Sequence, residues 1–170
     1  MKEINIENHT KESLNLIFNE ANKFFKDTSE TINRISGRSF VFLAFYSSVI
    51  SFSFLSVINN KYEYIVLFIG TIFSILFIRK NIFPTNREVI GVAPEIFLDE
   101  YFIDFSGEEL EKEQTASLIV SYDKSIKINI KLAELMSGRF RKSLYCFIST
   151  LSLLFVFLIF FYLKSNYASC

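Results

Sequence analysis

The side chains best suited to recognition chemistry in this chain are cations near aromatic residues. Arg87 precedes an aromatic patch, and Lys127, Lys131 and Arg139 follow it on the far side of an acidic block. Arginine's planar fork matches phosphate oxygens, and lysine adds a compact point charge. These four residues are the candidate ligand-binding set, for an anion such as a nucleotide phosphate. The patch comprises Ile96, Phe97, Leu98, Tyr101, Phe102, Ile103 and Phe105, with Pro84, Gly91, Pro94 and Gly107 as breakers and turn formers around it. It either packs on neighbouring helices, the simpler expectation, or lines a small-molecule pocket. The charge around it is segregated. Asp99, Glu100, Asp104, Glu108, Glu109, Glu111 and Glu113 come first, and Lys124, Lys127, Lys131, Arg139, Arg141 and Lys142 follow. Pairing between neighbouring elements is the competing use of these charges.

Catalytic chemistry has no comparable foothold. The single histidine, His9, has no base or second ligand beside it in sequence, and neither a Walker loop nor metal-ligand spacing occurs. Cys146 and Cys170 are isolated thiols. The expectation is a protein that is not an enzyme, with no catalytic residues, metal or cofactor. Eighteen basic residues balance eighteen acidic ones, which is unlike a nucleic-acid-binding footprint.

The elements that must position these residues are set by three apolar runs without charge: Ser39 to Ile58, Tyr64 to Ile78 and Ser143 to Leu163. Hydrophobic residues make up 51% of the chain and aromatic residues 17%, with 21 Phe and no Trp. A bilayer span needs about 20 mostly apolar residues, which the first and third runs supply. The second is short and crosses only if Tyr62, Tyr64 and Arg79 reach out to the headgroups. The predicted fold is an all-α membrane protein, with three transmembrane helices and a small helical cytosolic domain. Its expected parts are a cytosolic amphipathic helix (1–38), a two-span hairpin (39–82), a cytosolic helical segment (83–142), a third span (143–164) and an outer tail (165–170).

Flanking charge orients the spans. Arg34 and Arg38 precede the first, Arg79, Lys80 and Arg87 follow the second, and Arg139, Arg141 and Lys142 precede the third. Positive charge favours the cytoplasmic side. The N-terminus, which opens without a signal-peptide pattern, and the middle segment are therefore expected in the cytosol. No span contains Asp, Glu, Lys or Arg, which points away from a transporter or proton pump. Ser47, Ser48, Ser51 and Ser53 cluster in the first span, where they could mediate helix contacts or line a pore built from several copies.

Outside the spans, Leu14, Ile17, Ala21, Phe24, Thr28, Thr31 and Ile35 step by three and four, widened by Phe18, Phe25 and Ile32. Thr10 is the expected N-cap, and Gly37 a possible bend. This helix lies on the inner leaflet or, as favoured here, packs on the last cytosolic helix. There Ile119, Tyr122, Ile126, Asn129, Ala133, Met136 and Phe140 repeat the same spacing. Ile126, Ile128, Ile130 and Leu132 also alternate as a strand would, but the longer heptad pattern favours helix over 125–133.

The cytosolic helix, the tight hairpin, the Pro-containing exit, the stretch from Glu95 to Ser106 and the last span led by Arg139-Phe-Arg-Lys142 together resemble the membrane effectors of bacterial Pycsar anti-phage systems. The resemblance covers most of the chain and rests on layout. It implies an inner-membrane protein acting in abortive infection. A partner cyclase would supply a cyclic pyrimidine nucleotide, and a homo-oligomer in the lipid bilayer would then impair membrane integrity. Two other expectations stand beside it: a CRISPR-associated or toxin-like pore controlled by a protein partner, and a structural subunit of a membrane complex.

Overall fold

The structure is a computed structural model. It describes residues 9–82, 102 and 105–167, with side chains described as far as 164. Three long helices carry the fold: α1 (Lys11–Ile58), α2 (Ile65–Ile82) and α3 (Gly107–Tyr167), with a 3-10 turn over Tyr62–Tyr64. There is no strand among the described residues, and the alternating 126–132 stretch is inside α3. Each of the three helices is long and apolar enough to cross a membrane. The second span is longer than its apolar run. With the 3-10 turn it covers 21 residues, Tyr62–Ile82, about 30 Å at 1.5 Å per residue, which matches the hydrocarbon core.

Local chemistry sets the helix ends. The backbone N–H of Ser13 donates to Thr10 Oγ1 at 3.2 Å, so Thr10 caps α1 as its sequence position predicts. His9 Nδ1 lies 3.2 Å from Ser13 Oγ in the same first turn. Gly37 falls inside α1, and the helix continues through it. At the other end Asn60 takes a left-handed conformation (φ 64°). Asn60 N–H donates to the Val57 carbonyl and Lys61 N–H to the Ser56 carbonyl, both at 3.0 Å. This Schellman pattern satisfies two orphan carbonyls and starts the reversal into α2. Asparagine tolerates that backbone better than most residues.

The described residues fall into two compact units. In the first, residues 9–32, with the start of α1, pack on residues 105–133, with the start of α3, and Phe102 is also buried. Lys11 pairs with Glu111, and Tyr122 donates to Asn22 Oδ1 at 3.4 Å. Both helices advance together through these contacts, so they run parallel. The Tyr122 ring meets Phe18 and Phe25 edge-on, at centroid distances of 5.4 and 5.8 Å, a favoured geometry for aromatic pairs. Leu14, Ile32, Ala116, Ile119 and Ile126 complete the buried face. The hydrogen bond from exposed Lys11 to Glu111 raises the lysine pKa above its ordinary value. Within α3, Glu108 pairs with Lys112 and Asp123 with Lys127 at i,i+4 spacing.

The second unit contains 33–82 and 134–167. Tyr46, Leu67, Ile78, Phe147 and Leu154 form its apolar core. Most of its large apolar side chains face outward instead, among them Phe40, Phe45, Phe52, Ile69, Phe73, Phe155 and Phe160. An outward apolar face is unfavourable in water and favourable in lipid.

Candidate functional site: a polar seam through the three-helix unit

The inward face of this unit is lined by small and polar side chains. Ser39, Ser53, Thr71, Ser74, Asn81 and Ser143 are all buried to 1% exposure or less. In α2 the buried positions are Leu67, Thr71, Ser74, Ile78 and Asn81, a strict four-three spacing. In α3, Met136, Ser143 and Thr150 recur every seven residues. Such spacing keeps one seam facing its partners, as in a coiled coil. Small residues let helix backbones approach closely in a membrane.

Three layers cross the seam. In the first, Asn81 Nδ2 donates to the Met136 carbonyl at 2.8 Å and to Ser39 Oγ at 3.3 Å. Its Oδ1 is buried with no protein partner among the described residues. In the second, Ser143 Oγ lies 2.8 Å from the Ser74 carbonyl and 3.2 Å from the Tyr46 hydroxyl. A hydroxyl has one proton, so Ser143 donates to the carbonyl and accepts from Tyr46. In the third, Gly70 of α2 faces Thr150. A Cβ on Gly70 would overlap Thr150 Oγ1 and Cγ2. Cys146 Sγ approaches the Gly70 carbonyl at 3.7 Å.

The layers also fix direction within the unit. As α3 advances from Met136 to Ser143 to Thr150, its α2 partners retreat from Asn81 to Ser74 to Gly70. On α1 the partners advance from Ser39 to Tyr46. So α1 and α3 run parallel and α2 runs antiparallel, as alternate spans of a three-span hairpin arrangement require.

Of the four serines clustered in the first span, only Ser53 is buried in the seam. Ser47, Ser48 and Ser51 are exposed, and each bonds the carbonyl four residues back. That satisfies a hydroxyl that would otherwise face lipid unpaired.

The sequence-derived ligand residues do not form one described constellation. Arg87 lies outside the described residues. Lys127 is exposed in the first unit and paired with Asp123, and Lys131 follows one turn later on the same exposed face. Arg139 is half-buried and belongs to the second unit. Most of the aromatic patch is also outside the described residues; Phe102 is buried.

The residues that do converge are Arg38 of α1 and Arg141 of α3. With Ile35, Ser137 and Phe140 they line a half-open cavity of about 230 Å³. Both arginines were visible in the sequence as charges flanking spans. Their convergence depends on the parallel pairing of two helices about a hundred residues apart, which no local pattern encodes.

No known family model matches this chain, and no curated protein or solved structure matches it either. Its class follows from the fold alone: a helical protein whose three long helices suit a membrane.

Proposed function

We propose that this chain is a signal-controlled membrane effector. An anion recognised by its charged segments changes the packing of the three apolar helices, and an assembly of several copies breaches the bilayer. The observation that carries this reading is the continuity of α1 and α3. Each is a single helix from residues that can meet a soluble signal to residues suited only to lipid. The seam supports it too. Serine and threonine hydroxyls exchange partners at small cost, about 0.6 kcal/mol per membrane hydrogen bond on average, so the packing has nearby alternatives. In the form implied by the resemblance to Pycsar effectors, the signal is a cyclic pyrimidine nucleotide from a partner cyclase. The membrane is then the bacterial inner membrane, with the N-terminus and middle segment in the cytosol, and the outcome is abortive infection. Arg87, Lys127, Lys131 and Arg139 remain the candidate nucleotide contacts.

The test is dye release from vesicles carrying the purified full chain, with cyclic CMP or cyclic UMP added. Release is expected with one of them, and reduced release in K127A/K131A. Intact vesicles with both nucleotides, together with stable co-purification of one partner from cells, would contradict the reading and identify a structural subunit.

A further inference from the structure

The cavity between Arg38 and Arg141 has no role in the mechanism above. Its chemistry is specific. Two exposed arginines from different helices line it together with Ser137. Neither arginine makes an ion pair among the described residues. The acidic residue on this stretch of α3 is Glu134, two turns before Arg141 and about 10 Å away along the axis. Two like charges at one cavity repel each other unless an anion lies between them. The planar forks are matched to phosphate oxygens.

Position and size narrow the choice of anion. Arg38 immediately precedes the apolar run that begins at Ser39, and Arg141 stands two residues before the run that begins at Ser143. The cavity therefore lies where spans meet headgroups. Its volume of about 230 Å³ is below the roughly 300–1,000 Å³ of pockets that enclose a whole small ligand. It can hold a phosphate group while the rest of the ligand stays outside. A phospholipid meets that condition, since its acyl chains remain in the bilayer. Ile35 and Phe140 give the cavity an apolar wall toward such a carrier. Basic pockets between spans on the cytoplasmic side are suited to anionic headgroups.

We infer that the Arg38–Ser137–Arg141 cavity is a phosphate site occupied by the headgroup of an anionic phospholipid. The inference is independent of the effector reading, because it requires only membrane insertion. A soluble phosphate ester has the same recognition chemistry, so the experiment separates the two sources.

The full chain in neutral detergent is titrated with phosphatidylglycerol, phosphatidylcholine, inorganic phosphate or cyclic CMP, and bound ligand is read by native mass spectrometry. Saturable phosphatidylglycerol binding is expected, with clear preference over phosphatidylcholine. R38Q/R141Q should weaken it by about tenfold or more, as loss of two charge-assisted contacts implies. K142Q, next to Arg141 but outside the cavity lining, should change it by less than about threefold, the mark of surface charge alone. Ser137→Leu fills the cavity without altering charge and should also remove the preference, which keeps the site testable if the double variant fails to fold. Wild-type binding by R38Q/R141Q or by Ser137→Leu would overturn the site. Equal losses in K142Q and R38Q/R141Q would overturn it as well, by showing a general charge effect. Saturable inorganic phosphate or cyclic CMP binding that displaces phosphatidylglycerol would overturn the lipid assignment.

Discussion

Within the seam, one hydroxyl outranks its partner. Ser143 links Tyr46 to the Ser74 carbonyl, so Ser143→Ala leaves the buried Tyr46 hydroxyl without an acceptor. Tyr46→Phe removes that hydroxyl and leaves Ser143 still donating to the carbonyl. An unsatisfied buried group costs about 1–3 kcal/mol, whereas a hydrogen bond lost without an orphan costs about 0.5–1.5 kcal/mol. Unfolding in detergent should therefore show Ser143→Ala as the more destabilising change, and the double variant as less damaging than the sum. Gly70 gives a second expectation. Gly70→Ala drives a methyl group into Thr150 and should cost about 1–3 kcal/mol, the usual range for overpacking. Thr150→Ala in the same chain should recover part of that loss by removing the two nearest atoms. Additive losses in the same unfolding assay would contradict the Gly70–Thr150 approach.

At the scale of the helices, the heptad stripe of α3 was legible almost residue by residue. Ile119, Tyr122, Ile126, Asn129 and Met136 are buried, and Ala133 and Phe140 are half-buried. The stripe of α1 was legible only to within one position. Ile17 and Phe24 are exposed, whereas Leu14, Thr28 and Ile32 are buried and Phe18, Ala21 and Phe25 are half-buried. Adjacent apolar pairs, Ile17–Phe18 and Phe24–Phe25, fit two faces about 100° apart equally well. Tyr122 selects between them by packing on Phe18 and Phe25 and bonding Asn22. Ile32→Ala should accordingly cost about 2–5 kcal/mol as a core deletion. Phe24→Ala should stay near the 0.5 kcal/mol typical of surface changes. Thermal melts of the detergent-solubilised chain followed by circular dichroism would compare them, and equal losses would restore the Phe24 face. The polar seam escaped sequence reading for a different reason. In water apolar residues mark the inside, but in lipid they also mark the outside. Ser39, Ser74 and Asn81 sit at core positions that hydrophobic periodicity reads as gaps.

At the scale of the whole molecule, a three-span arrangement requires α1 and α3 to cross in the same direction, and their seam residues run parallel. Three helices long and apolar enough to span were legible from run length, including the short second one, which flanking Tyr and Arg residues extend to 21 residues. The candidate site was less legible. Of the arginines that converge, Arg38 stood in the sequence only as a topology signal and Arg141 as one member of a basic block, while Lys127 is engaged with Asp123. The most direct measurement uses single cysteines in a chain carrying Cys146→Ser and Cys170→Ser, probed in intact bacterial cells with a membrane-impermeant maleimide. Lys61→Cys, in the turn between α1 and α2, should label from outside. Asn19→Cys and Lys127→Cys should label only after lysis. Labelling of Lys61→Cys and Lys127→Cys from the same side would contradict the three-span account.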